Sequence, residues 1–240
     1  MSGSHQFPIF GIKMLENIGI AGDLSGTMYF FRKSPLTQSE IWGVERVDSG
    51  VRSITHIDGD EERLVIGTRN GLHLWDITKM SLIPSEVPVD VYVRMLSFHY
   101  PFAFVVGGGR WEGLKMFNMV TGKIERDLSE LGSVLYIHSN GRFLVLSVTV
   151  RNSRTARITI FDERELMDQS VNDEDLWVKH HEFHCESTMD SIIAVSNMTK
   201  LVVTDCYTLK VFDFWWWDKD CMKEQNERSR YDTRFFMNFQ

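Results

Sequence analysis

The 240-residue sequence predicts an all-β chain built from a repeated unit, and three observations carry that prediction. An apolar run, a turn and a second apolar run ending in an aromatic followed by Asp or Asn recur at residues 64–76, 104–118, 144–162 and 201–213, with a worn first copy at 18–31. Placing the equivalent aromatic at Phe30, Trp75, Phe117, Phe161 and Phe212 gives gaps of 45, 42, 44 and 51 residues. The alternation in Leu72-His-Leu-Trp75 and Leu209-Lys-Val-Phe212 has the two-residue period of a strand with one face turned inward. Between the runs stand Asn70-Gly71, a type I′ hairpin signal, and Ser25-Gly26, which does similar work. Four short strands per copy at such a period are the signature of a propeller blade.

The strands of each copy follow in order. Upstream of the hairpins, segments 51–57, 93–98, 134–138 and 191–195 supply a first, innermost strand. Runs such as Leu64-Val-Ile66 suit a second strand covered on both faces. The alternating run is the third strand, and polar stretches such as 41–46 and 123–128 supply the outermost one. Blades are therefore expected at about 10–46, 51–90, 92–128, 133–184 and 189–217. Residues 1–6 precede the propeller at 7–217 as an N-terminal segment; within them, 2–5 read as native residues or a cloning remnant. Residues 218–240 form a tail, of which 218–231 read as a linker or short surface helix. Either 6–10 or 234–239 is expected to supply the outer strand of the last blade.

Only Leu74-Trp75-Asp76 carries the Trp-Asp pair intact; Phe161-Asp162 and Phe212-Asp213 are close, and Phe117-Asn118 less so. With the 40–45-residue period, these residues resemble the WD-repeat (WD40) β-propellers over residues 7–217. The resemblance implies an all-β propeller of about five WD40-like four-stranded blades and is silent on function. The Gly-His pair that many members carry is missing in every copy. Five blades are fewer than the seven common in that family. A closed five-bladed ring and an open or incomplete propeller, completed by a partner or a second copy, both remain.

Composition narrows the class. Lys and Arg number 26 against 33 Asp and Glu, a net charge of −7, which argues against a broadly basic nucleic-acid surface. No stretch approaches the roughly 18–20 apolar residues of a membrane helix, and the first residues lack a signal-peptide pattern. Cys185, Cys206 and Cys221 are odd in number and lack Cys-x-x-Cys spacing, which suits a reducing compartment. An intracellular protein, cytoplasmic or nuclear, is expected.

Function is expected at one end of the propeller. Hairpin tips and blade connections gather Arg52, Arg69, Arg94, Arg110, Trp111, Arg151 and Arg154 there. Guanidinium groups bind carboxylates and phosphates in a bidentate manner, and Trp111 or Tyr207 would stack beside them. The reading is a site for an acidic or phosphorylated segment of another protein; solvated turn arginines are the plainer one. Ile160-Phe-Asp-Glu-Arg164 resembles the box with which some WD-repeat substrate receptors dock on a ubiquitin-ligase adaptor, Arg164 making the contact.

Other motifs point away from chemistry. In His180-His-Glu-Phe-His-Cys185, strand alternation splits the ligands between two faces, so a polar outer strand is expected in place of a metal site. Gly107-Gly-Gly-Arg110 lacks the Gly-Lys-Ser/Thr of a phosphate loop and reads as a turn. Asp48-Ser-Gly-Val-Arg-Ser53, which resembles a phosphodegron, reads as a turn too. Asn197-Met-Thr199 fits a glycosylation acceptor without a secretory signal. Trp215, Trp216 and Trp217 cannot all face one way on a strand, so the tail, an open blade edge or another molecule is expected to cover part of them. With no Gly-x-Ser-x-Gly elbow and no carboxylate pair distinct from the turn acids at 58–62, a non-catalytic protein without cofactor or metal is expected.

Overall fold

The computed structural model describes residues 7–33, 42–84, 92–108, 113–139, 141, 143–149, 156–168, 181–185, 192–196, 200–204, 208–213 and 237–238. The chain divides into two compact units, Met1–Leu131 and Gly132–Gln240. The first holds three four-stranded antiparallel sheets in chain order. They are β1 (Ile9–Met14), β2 (Ile18–Asp23), β3 (Thr27–Lys33) and β4 (Trp42–Asp48); then β5 (Ile54–Gly59), β6 (Arg63–Thr68), β7 (Leu72–Asp76) and β8 (Ser81–Ile83); then β9 (Tyr92–His99), β10 (Phe102–Gly108), β11 (Gly113–Asn118) and β12 (Ile124–Asp127). The second unit holds two such sheets. One comprises β13 (Val134–Ser139), β14 (Phe143–Thr149), β15 (Ala156–Asp162) and β16 (His181–Cys185), with helix α1 (Glu163–Met167) after β15. The other comprises β17 (Ile192–Ser196), β18 (Lys200–Thr204), β19 (Thr208–Asp213) and β20 (Met237–Asn238). Each sheet is a meander of the kind that forms a propeller blade.

Among the described residues, second strands are the most buried. In β2 and β6 every residue after the first is buried, in β10 all but the two ends, and in β14 all but the last. Their unbroken apolar runs arise because each is covered on both faces. In the first unit, Ile20, Met28 and Phe30 of the first sheet pack on Ile54, Ile57, Leu64, Ile66 and Trp75 of the second. The second sheet's other face, with Val65, Leu72 and Leu74, packs on Val93, Leu96, Phe98, Ala103, Val105 and Phe117 of the third. Each such side chain contributes about 1.5–3 kcal/mol when fully buried. Gly22 and Gly67 let adjacent sheets approach: a Cβ on Gly22 would lie 2.6 Å from Ile57 Cδ1, and one on Gly67 2.6 Å from Val93 Cγ1.

The polar residue after the third-strand aromatic starts the next turn. Asp76 Oδ1 accepts the Lys79 N–H at 2.8 Å, Asn118 Oδ1 the Val120 and Thr121 N–H groups at 3.0 and 3.1 Å, and Asp162 Oδ1 the Arg164 N–H at 3.0 Å. The repeated Asp or Asn is thus a side-chain turn former.

Two details differ from the sequence reading, and one alternative it left open is decided. The residue equivalent to Trp75 is Phe31 and not Phe30: Phe31 pairs with Gly19 as Trp75 pairs with Leu64. The first hairpin places five residues, 23–27, inside the Gly22–Met28 pair, whereas the second places four, 68–71, inside Gly67–Leu72. The hairpin at Asn70-Gly71 is not type I′, since Ser53 and Met80 are the positive-φ non-glycine residues among those described and Gly71 alone in this turn has φ positive, at 149°. The Thr68 hydroxyl, 3.1 Å from the Asn70 N–H and 3.0 Å from the Gly71 carbonyl, folds the turn instead. The fourth strand of the last sheet comes from 234–239, through the pairs Thr208–Asn238 and Leu209–Met237. Ile9 and Phe10 of the rival segment belong to β1, because the tight turn closed by Leu15 N–H to Ile18 O joins β1 to β2 locally at little loop-closure cost.

Candidate functional site

Three of the predicted arginines leave one end of the second and third sheets. Ile54 pairs with Thr68, so Arg52, just before β5, and Arg69, just after β6, emerge at the same end. The Thr55 hydroxyl lies 3.1 Å from the Gly67 carbonyl and 2.9 Å from that of Val93, which brings the start of β9, and with it Arg94, to that end. Arg52, Arg69 and Arg94 are exposed. Among the described residues none of the three has an acidic partner, whereas Arg63 pairs with Glu62 and Arg164 with Asp162.

Local structure holds these positions. Residues 49–53 are pinned to the first hairpin: Ser49 Oγ donates to the Gly26 carbonyl at 2.5 Å, and the Ser53 N–H donates to the Leu24 carbonyl at 3.0 Å. Val51 is buried and Ser53 adopts φ 59°, so Arg52 is presented between two fixed residues. This segment is the turn expected for the degron-like sequence. A side chain on Gly26, at φ 93°, would collide with the Val51 carbonyl at 1.8 Å, so only glycine serves there.

Asp23 organises the first hairpin from within. Its Oδ1 accepts the Ser25 N–H at 2.8 Å, the Ser25 hydroxyl at 2.5 Å and the Thr27 N–H at 3.1 Å, and Oδ2 accepts the Tyr29 hydroxyl at 3.1 Å. Burial pushes its carboxyl up, but the Ser25 hydroxyl and the Thr27, Ser25 and Tyr29 donors outweigh burial and hold it below the usual carboxylate range. Burial likewise raises the Tyr29 hydroxyl, with the Asp23 bond adding to it. Burial holds the pKa values of His56 and His73 below the usual imidazole range.

Of the remaining predicted site residues, Arg110, Trp111, Arg151, Arg154 and Tyr207 lie outside the described residues, as do His180 and Trp215, Trp216 and Trp217. Arg164 is exposed on α1, and its guanidinium grips Asp162, with Nε 2.9 Å from Oδ1 and Nη2 2.5 Å from Oδ2. That carboxylate raises the Arg164 pKa further. Next to it, Glu163 is buried and accepts the Ser139 hydroxyl at 2.6 Å. His181–Cys185 form the fourth, outer strand of their sheet. Among the described residues no cluster of His, Cys, Asp and Glu could hold a metal, and no helix is long and apolar enough to cross a membrane.

Sequence reasoning missed the junction at the opposite end of the first unit. Asp58 stands among acids that read only as turn residues, yet it ties three innermost strands. Its carboxylate pairs with Lys13 of β1 and accepts the Phe98 N–H of β9 at 2.7 Å. Nearby, Arg63 lies over the Tyr100 ring at 4.1 Å.

No family model matches the chain, and no curated protein does. Solved structures do match. Hsv2 of Kluyveromyces lactis aligns at TM-score 0.60 and 12% identity, covering 87% of this chain and 60% of that one. Hydrazine synthase of Kuenenia stuttgartiensis aligns at TM-score 0.57 and 13% identity, over 89% and 65%. Both contain propellers. The fold is a β-propeller. The computationally designed Ika8 protein aligns at TM-score 0.50 and 16% identity, covering 87% of this chain and 72% of its own. At these identities the likeness concerns fold alone. The chain spans less than two thirds of the length of the Hsv2 and hydrazine synthase chains it matches.

Proposed function

We propose that this chain is a non-catalytic scaffold of the WD-repeat kind that binds other proteins, taking an acidic or phosphorylated segment at Arg52, Arg69 and Arg94. The carrying observation is the trio itself: three exposed guanidinium groups at one end of adjacent sheets, without an acidic partner among the described residues, on a chain of net charge −7. Bidentate charge-assisted hydrogen bonds suit carboxylate and phosphate groups. The pinned backbone at 49–53 and the hydroxyl-folded turn at 68–71 limit the ordering cost of binding. The finer reading is a ubiquitin-ligase substrate receptor in the cytoplasm or nucleus. It is supported by the exposure of Arg164 at the end of Ile160-Phe-Asp-Glu-Arg164.

The test is fluorescence anisotropy with a glutamate-rich peptide and a phosphoserine counterpart. Arg52→Glu with Arg69→Glu should weaken binding at least about tenfold and leave the melting temperature in place. Undiminished peptide binding by the double variant sinks the reading. Peptide indifference together with oligonucleotide affinity that falls steeply with salt would assign the arginines to nucleic acid instead.

A further inference from the structure

In each of the first four sheets the innermost strand carries one residue more than its partner strand can pair. The pairs Ile9–Asp23 and Gly11–Gly22 skip Phe10, and Ile54–Thr68 and His56–Gly67 skip Thr55. Val93–Gly107 and Met95–Val106 skip Arg94, and Val134–Val148 and Tyr136–Ser147 skip Leu135. Such a bulge re-aims a side chain. Thr55 uses the position for structure, its hydroxyl lying close to the Gly67 and Val93 carbonyls. Arg94 is the charged one of the four, and it is exposed. Val93 points at the second sheet, where a Cβ on Gly67 would stand 2.6 Å from its Cγ1. Tyr92 and Arg94 turn to the other face. Gly108, paired with Tyr92, lies beneath both: a Cβ there would be 2.8 Å from Tyr92 Cδ1 and 3.2 Å from Arg94 Cδ. The bare glycine thus seats the tyrosine ring and the arginine stem together, with Tyr92 44% exposed. Arg52 and Arg69 instead flank neighbouring strands of the second sheet, which run about 4.8 Å apart.

We propose that the three arginines form two subsites, and that the partner is an extended segment with two acidic groups and an aromatic residue beside the second. Arg52 and Arg69 converge on the first acid. Arg94 takes the second, and the Tyr92 ring packs on the aromatic side chain next to it. The two anchor points belong to adjacent packed sheets, a separation of roughly 10 Å. About three residues of extended chain cover that distance. A lone phosphate therefore fills half of the site. The inference rests on the reading of the arginine end as a site for an acidic segment, and it names the class of segment.

Fluorescence anisotropy of the 240-residue chain at fixed salt, with three synthetic peptides, tests it. The first peptide carries one phosphoserine in a neutral sequence, and the second carries two, three residues apart. The third adds a tyrosine after the second phosphoserine. Affinity should rise at least about tenfold from the first peptide to the second, and about threefold more with the tyrosine. Arg94→Ala should abolish the gain from the second phosphate and leave the single phosphopeptide within about twofold. Tyr92→Ala, which changes no charge, should abolish the tyrosine gain alone. Arg69→Ala should weaken all three. Tyr92 and Arg94 are exposed, so the melting temperature should hold in both variants. A single phosphopeptide weakened alike by Arg94→Ala and Arg69→Ala means one converged cluster and overturns the division into subsites. A double phosphopeptide bound no more tightly than the single one overturns it too. A tyrosine gain that survives Tyr92→Ala, or no gain at all, overturns the aromatic contact. Failure of all three peptides to bind, or binding indifferent to all three arginines, overturns the reading of the arginine end itself.

Discussion

Asp23, Asp60, Asp76, Asn118 and Asp162 perform one physical task with one short side chain: each accepts backbone N–H groups two to four residues ahead of it. Asn118 does this without a charge, so the Trp-Asp motif requires an acceptor and not an anion. That is why Phe117-Asn118 counts as a working copy. Asp23 adds a buried setting, which makes its protonation matter. Its folded pKa lies below the unfolded value of about 3.9, so its stabilisation is complete above that value and vanishes as pH falls through the folded pKa. Asp23→Asn should therefore cost about 1–3 kcal/mol at pH 7 and flatten the loss of stability below about pH 4. Urea unfolding at several pH values reads both effects. An unchanged acid limb would remove Asp23 from the account.

At the scale of elements, glycines set how closely sheets stack. Gly67 admits Val93, whose Cβ would be 3.0 Å from an added methyl group. Valine is stiff at χ1 and cannot swing clear. Gly67→Ala should cost about 1–3 kcal/mol by overpacking, and Val93→Ala added to it should recover part of that loss. A double-mutant cycle showing simple additivity would refute the close fit. The element pattern was legible because alternation and apolar runs report which faces are covered. The register of the first sheet was not. One extra residue in the 23–27 hairpin shifts the aromatic to Phe31, and an aromatic pair at Phe30-Phe31 offers no signal of which member turns which way. The turn at Asn70-Gly71 misled for a similar reason, because the Thr68 hydroxyl competes with the backbone for control of its shape.

Across the first unit as a whole, Asp58 joins what the repeats leave separate. Its partners lie on β1 and β9, and the Phe98 N–H is 40 residues away in sequence. Such a tie is invisible to a reading made copy by copy, whereas the repeat, the blade architecture and the place of Arg69 at a hairpin tip are local patterns and could be read. Asp58→Asn should lower stability by about 1–3 kcal/mol, with the Lys13 partner left in a partly shielded site. Glu62→Gln, which removes the exposed partner of Arg63, should change it by less than about 0.5 kcal/mol. Equal denaturation midpoints for the two variants would deny Asp58 its role as a joint.

The last sheet takes its outer strand from far along the chain: β19 ends at Asp213, and β20 begins at Met237. During synthesis, the first four sheets can pair their strands as they leave the ribosome, but β19 keeps an open edge until residues 237–238 emerge. An unpaired edge strand is a template for aggregation. A product released before that point would thus carry the mark of its own incompleteness, in a form that quality control can recognise.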